Sequence, residues 1–192
     1  DETMHMLSLA YENVNQAFDQ LLQFSDKTDE QIYKREDTVN YLDKVISEYI
    51  STALATPNLN VNISQALSSY YLMLVDIERI SDYAVNMNHQ ATKRLQGDMT
   101  ISEIEIIEHM KKLCEDMKND LDDVEEAERK DDVIDSLVSS WREAQIQALK
   151  QKKCSSEVSM MLSRIFTDFE RINDHALNVS QELDKITFEI PD

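Results

Sequence analysis

The chain has 192 residues, of which 42% are apolar, with one Gly and two Pro; that length suits one domain or two small ones, and so few turn-formers argue against a sheet protein. Asp and Glu number 38 against 19 Lys and Arg, a formal net charge of −19, which repels nucleic-acid phosphate and anionic lipid and favours cations or a basic protein surface. Cys114 and Cys154 are too few for a disulfide framework and read as reduced thiols of a cytoplasmic protein, and no apolar run approaches the ~18 residues of a membrane span.

Six helical segments are expected. The first runs from about Glu2 to Phe24, with apolar residues at Leu7, Ala10, Tyr11, Val14, Ala17, Phe18, Leu21 and Leu22 in steps of three and four. The chain opens inside this pattern, at Met4 and Met6, as expected of a domain cut from a longer protein or of a start with residues missing. Ser25 to Asp29 breaks it and supplies N-caps for a second helix from about Asp29 to Ala55, which Pro57 ends. The third runs from about Asn60 to Leu95, with Gly97 as C-cap. Thr100 with Glu103 forms a capping box for the fourth, which runs to about Ala127. The fifth spans about Asp131 to Lys152, and the sixth about Ser155 to Ile186 with Ser155 or Ser156 as cap.

The pattern is a repeat. Asp76-Ile-Glu-Arg-Ile-Ser-Asp-Tyr-Ala-Val-Asn86 matches Asp168-Phe-Glu-Arg-Ile-Asn-Asp-His-Ala-Leu-Asn178, with the leading Asp, Glu, Arg, Ile, Asp, Ala and Asn identical. The apolar rows match at the same offset: Tyr70, Met73, Leu74, Ile77, Ile80 and Met87 pair with Leu162, Ile165, Phe166, Phe169, Ile172 and Val179. A weaker match aligns Lys34 to Leu42 with Arg129 to Leu137. The expected fold is therefore all-α: two repeated three-helix bundles, residues 1–97 and 98–192, since lone helices cannot bury such stripes.

The repeat carries a polar constellation. Glu78 and Asp82 are four apart, as are Glu170 and Asp174, so each pair lies one turn apart on one helix face. Asp131 and Asp135 form a third such pair on the fifth segment, where the first half has Glu36 and Asn40. If the second and third helices of each half face one another along these stripes, three or four carboxylates converge. Oxygen-only ligands of that kind suit Mg²⁺ or Ca²⁺ and, less selectively, iron or manganese. The alternative is a solvated acidic face with Arg79 and Arg171 as local ion-pair partners; recurrence of the pair with the same flanking residues is what speaks for a site. Of the two, Asp131, Asp135, Glu170 and Asp174 should be the better, with four carboxylates against three and an amide.

Other chemistry is weakly represented. His5, His89, His109 and His175 fall outside the Glu-x-x-His spacing of di-iron bundles. One Gly allows no phosphate-binding loop, and no Ser sits in a nucleophile elbow. A metal-dependent helical-bundle enzyme and a purely structural bundle are the competing classes, but the chain is expected not to be an enzyme.

The segments Asp76 to Asn86 and Asp168 to Asn178 resemble the motif of the PhoU family, Asp-Leu-Glu-Arg-Ile-Gly-Asp-His-Ala-x-Asn, once per three-helix repeat. Ser81 and Asn173 stand in place of the usual Gly, and Tyr83 in place of His. The resemblance covers essentially the whole chain. It implies two three-helix bundles side by side, with metal clusters on the acidic motifs in some members; iron, zinc, magnesium and manganese are the candidates. It also implies a cytoplasmic role in phosphate homeostasis, through contact with a phosphate transporter or a sensor kinase, with a homodimer left open. Two subfamilies compete: the free-standing regulator, and the cytosolic domain of sodium/phosphate cotransporter proteins, at the inner face of the membrane. The Glu48-Tyr49 pair within Lys44 to Leu54 looks more like the attached type, and that is the expectation.

Overall fold

The computed structural model describes residues 2–91 and 96–189, with side chains to Ile186. Six helices are described, α1 (Glu2–Leu22), α2 (Asp26–Leu54), α3 (Val61–Gln90), α4 (Ile101–Asn119), α5 (Val124–Lys150) and α6 (Ser156–Glu189), and no strand occurs among the described residues. No helix among them is long and apolar enough to cross a membrane.

Local chemistry explains most of the boundaries. Ser25 caps α2 by accepting from the Thr28 amide at 3.4 Å, and Asp26 and Asp29 place negative charge at the positive end of the helix. Beyond Leu54 the chain turns through Pro57 and Asn58, the latter at φ 62°, a left-handed conformation that Asn tolerates. Asn60 caps α3, accepting from Asn62 at 2.8 Å. Both halves of the Thr100–Glu103 capping box form, at 3.3 and 2.7 Å, and Ser155 caps α6 through Val158 at 3.1 Å.

Three boundaries differ from expectation. Helix α3 ends at Gln90 with Ala91, not Gly97, as its C-cap; the expected continuation over 92–95 lies outside the described residues. Helix α4 stops at Asn119, not Ala127, and α5 begins at Val124, not Asp131. The break falls inside an acidic run with no Gly or Pro. Asp123 makes it, accepting from the Glu126 amide at 3.1 Å, while Leu121 tucks into the core.

The helices pack as the repeat requires. Helices α3 and α6 lie against each other through the matched apolar rows, with α1 and α2 on α3 and α5 on α6. Met73, Leu74, Ile77, Ile80 and Met87 are buried on α3, as are Ile165, Phe166, Phe169, Ile172 and Val179 on α6. Each such side chain contributes roughly 1.5–3 kcal/mol by burial. The halves are not separate bundles with separate cores. Helix α4 packs on α1 as well as on α5 and α6, Phe18 of α1 meets Phe169 of α6 edge-on at 6.4 Å, and one continuous apolar cluster runs through both halves.

Candidate functional site

On α3, Ile77, Ile80 and Ala84 point into the core. Helical spacing then places Glu78 and Asp82 at the half-buried edge of that face, towards α2. On α2, Ile32 and Val39 are buried, and Glu36 lies at the same edge. The two edges meet. The buried Ser81 hydroxyl donates to Glu36 Oε2 and accepts from Asn13 Nδ2 at 3.1 Å. Arg35 holds Asn13 Oδ1 at 2.7 Å and Glu12 at 2.7 Å.

Glu36 is thus anchored by one oxygen, while its buried Oε1 has no hydrogen-bond partner. Burial raises the Glu36 carboxyl above its ordinary range, opposed by the Ser81 hydroxyl, with the nearby charge of Asp82 raising it further. Asn40, on the same helix, opposes that rise. Glu78 is raised by burial and then by the charge of Asp82, with Asp43 and Glu36 adding to it and Arg79 opposing. Arg79 lies 3.0 Å from Asp82 and 3.6 Å from Glu78.

The second half repeats the arrangement with changes. Asp131 occupies the position of Glu36, and its buried Oδ1 likewise has no partner. Asn173 replaces Ser81 and turns away, donating to the Phe169 carbonyl at 2.8 Å and to Cys114 Sγ at 3.7 Å. Asp131 is pushed up to about 6, by burial first and then by Asp135 and Asp174. Asp135 is raised by burial, Asp174 and Glu170. Arg171 pairs with Asp174 at 3.2 Å, the counterpart of the Arg79–Asp82 pair.

All the expected acidic residues are therefore brought into two electrostatically coupled clusters: Glu36, Glu78 and Asp82 in one, and Asp131, Asp135, Glu170 and Asp174 in the other. They are not drawn around a common point: among the described residues no three His, Cys, Asp or Glu groups are arranged to hold a metal ion. The donor chemistry nonetheless fits a hard cation. Each cluster contains one buried carboxylate oxygen without a partner, Glu36 Oε1 and Asp131 Oδ1, at equivalent positions, beside further carboxylates that oppose its ionisation.

Two residues were not singled out from sequence. Asp43 joins the first cluster through its effect on Glu78, where the second half has the buried Val138. Arg142 joins the second, its Nη2 2.6 Å from Glu170 Oε2. Both lie seven residues beyond a cluster residue, Glu36 and Asp135, hence two turns along the same face; that spacing was the available signal.

The PhoU domain family matches the chain twice, over residues 3–91 and 104–183. The chain is similar to the phosphate-specific transport system accessory protein PhoU homolog 1 of Thermotoga maritima, at 23% identity over 190 residues, covering 93% of this chain and 81% of that protein. Among solved structures it is similar to PhoU from Pseudomonas aeruginosa, with a TM-score of 0.86 and 18% identity, covering 98% of this chain and 95% of the other; at that identity the likeness speaks for the fold. Two matches that together span most of the chain, and that contain both copies of the acidic motif, identify it: this chain belongs to the PhoU domain family.

Proposed function

We propose that the chain regulates phosphate transport, by contact with a phosphate transporter or an associated sensor kinase in the cytoplasm, and that it is not an enzyme. Family membership supports this reading. The name and coverage of the Thermotoga maritima relative favour a free-standing accessory protein over the cotransporter-attached domain that the Glu48-Tyr49 pair suggested.

The observation that carries the site is the pair of clusters, each with a buried carboxylate oxygen lacking a partner. Glu36, Asp43, Glu78 and Asp82 would hold one divalent cation or metal cluster, and Asp131, Asp135, Glu170 and Asp174 another, with Mg²⁺, Mn²⁺, iron or zinc as the candidates. A bound cation would offset the mutual repulsion of these carboxylates. The residues would then tie α2 to α3 and α5 to α6, so that occupancy stiffens the helix faces a partner meets.

The test is phosphate uptake by cells of the source organism lacking this chain. Uptake in phosphate-rich medium should rise, the wild-type chain should restore restraint, and a variant combining Glu78→Gln, Asp82→Asn, Glu170→Gln and Asp174→Asn should restore it poorly while remaining folded. Unchanged uptake on deletion would overturn the proposal.

A further inference from the structure

We propose that the groove at the α2–α3 end of the first half docks an amphipathic helix of a protein partner, apolar on one face and flanked by Lys or Arg. This rests on the reading of the chain as a regulator that acts by contact, and gives that contact a surface and a partner chemistry. The groove exists because α1 is short. Helices α1 and α2 join through Phe24 and Ser25 at the other end, and α1 has 21 residues against 29 in α2. Helix α2 therefore runs past the start of α1 by 29 − 21 = 8 residues, about 12 Å. There Val45, Ile46, Tyr49 and Ile50 of α2, with Leu67 and Tyr70 of α3, line a cavity of about 390 Å³ beside Glu2. Val45 is 43% exposed and Tyr49 72%, whereas Ile32 and Val39, where α1 covers the same helix, are fully buried.

The second half builds the same geometry with different chemistry. Helix α4 has 19 residues against 27 in α5, the same excess of 8, and a groove recurs whose walls mix Ile146, Met160 and Phe166 with Arg142, Gln145 and Ser159. At the offsets of the repeat, Val45, Tyr49, Ile50 and Leu67 correspond to Ser140, Ala144, Gln145 and Ser159. Folding of a half therefore does not require apolar side chains at these positions, and exposed Val and Tyr there point to an interface. Charge points to the partner. Lys44 is the only basic residue between Asp37 and Glu78, whereas the counterpart stretch from Asp132 to Glu170 has Arg142, Lys150, Lys152, Lys153 and Arg164. Glu2 lines the first groove and the exposed Glu48 adjoins Tyr49; neither forms an ion pair among the described residues. Apolar walls with an acidic rim suit an apolar face between basic flanks. A helix suits better than a strand, because the open wall is the one α1 leaves, and the described residues offer no strand edge to pair with. A second copy would bring −19 against −19, and anionic lipid is repelled likewise.

The test is fluorescence anisotropy of a labelled synthetic helix of about 18 residues, five turns, with Leu on one face and Lys on its flanks. The whole chain is titrated as wild type, as Val45→Ser with Tyr49→Ala (the residues of the second half), as Tyr49→Ala alone and as Glu48→Gln, each checked for helix content by circular dichroism. The double variant leaves the net charge unchanged, so binding driven by charge alone would survive it. It should weaken binding roughly tenfold. Tyr49→Ala alone, at a side chain 72% exposed, should weaken it about threefold and serves if the double variant does not fold. Glu48→Gln should weaken it about twofold at low salt and less at high salt. No binding by wild type, or equal affinity in wild type and both uncharged variants, overturns the groove. Self-association of wild type in sedimentation velocity, or its capture by phosphatidylcholine vesicles, overturns the partner helix if the double variant abolishes it, because the occupant is then a second copy or a lipid surface. In cells lacking the chain, the double variant should restore restraint of phosphate uptake poorly. Full restoration overturns the groove as the regulatory contact and leaves the regulatory reading standing. Unchanged uptake on deletion, with the synthetic helix still bound by wild type, overturns that reading alone.

Discussion

His175 Nδ1 lies 2.7 Å from Asp76 Oδ1, and the contact joins α6 to α3, one half of the chain to the other. Asn178 donates to the same oxygen at 3.0 Å, and the Tyr83 ring stacks on His175 with centroids 5.8 Å apart. Every one of these residues belongs to the repeated motif. Part of what the motif conveys is therefore the seam between the halves, beside its acidic face. Removing Asp76 takes this acceptor from both His175 and Asn178. A double-mutant cycle of Asp76→Asn and His175→Ala in urea unfolding should give a coupling of roughly 0.5–2 kcal/mol. Additive single effects would show that the pair contributes no mutual stabilisation.

The seam is unsymmetrical, and this yields a pH dependence. Asp168 is the counterpart of Asp76, but Tyr83 and Asn86 stand where Asp76 meets His175 and Asn178. Asp168 has no hydrogen bond or ion pair among the described residues, and burial alone pushes its carboxyl up to about 6. The folded state thus holds this proton more tightly than the unfolded chain does. The contribution of Asp168 to stability is fully present below about pH 4 and is lost as the pH rises through about 6. Asp168→Asn should raise stability at pH 7 by roughly 1–2 kcal/mol, allowing for solvent screening of a half-buried group, with little change at pH 4. Equal effects at the two pH values would contradict the assignment.

The start of α4 is a second point of leverage. Thr100 and Glu103 cap one another, and the buried Glu103 also accepts from Gln145 of α5 at 2.8 Å. Thr100→Ala should cost about 1 kcal/mol, the usual value of a cap. Glu103→Ala should cost more, because it also leaves the Gln145 amide with only the weak acceptor Cys154 Sγ at 3.5 Å. Thermal melting of the two variants ranks them; a larger loss for Thr100→Ala would show that the link to α5 is unimportant.

The sequence carried the parts of this fold that depend on period. Apolar residues at steps of three and four specify which face of each helix is buried, and the offset between Asp76 and Asp168 exposes the repeat. Thr100 with Glu103 was legible because a capping box is a local signal. The break at residues 120–123 was not, because Glu115 to Asp135 looks uniformly helical and polar until the core claims Leu121 and Asp123 becomes a cap. The convergence of Glu36 with Glu78 and of Asp135 with Glu170 could be expected from paired stripes. The positions of Asp43 and Arg142 relative to those carboxylates depend on the register of α2 on α3 and of α5 on α6. No single-helix pattern encodes that register. The shared core is likewise a property of how α1 and α4 meet.

The claim that the two clusters are cation sites is tested most directly by thermal melting with and without Mn²⁺. The proteins are wild type, Glu78→Gln with Asp82→Asn, and Glu170→Gln with Asp174→Asn. Saturation stabilises by mass action, about 2.7 kcal/mol for one site at a hundredfold excess over the dissociation constant. Wild type should therefore melt higher with the ion. Each double variant should lose part of that shift, with the rest carried by the cluster left intact. If Mn²⁺, Mg²⁺, Fe²⁺ and Zn²⁺ all leave the wild-type melting point unchanged, and both double variants melt above wild type, the carboxylates are a repulsive surface and the account is contradicted.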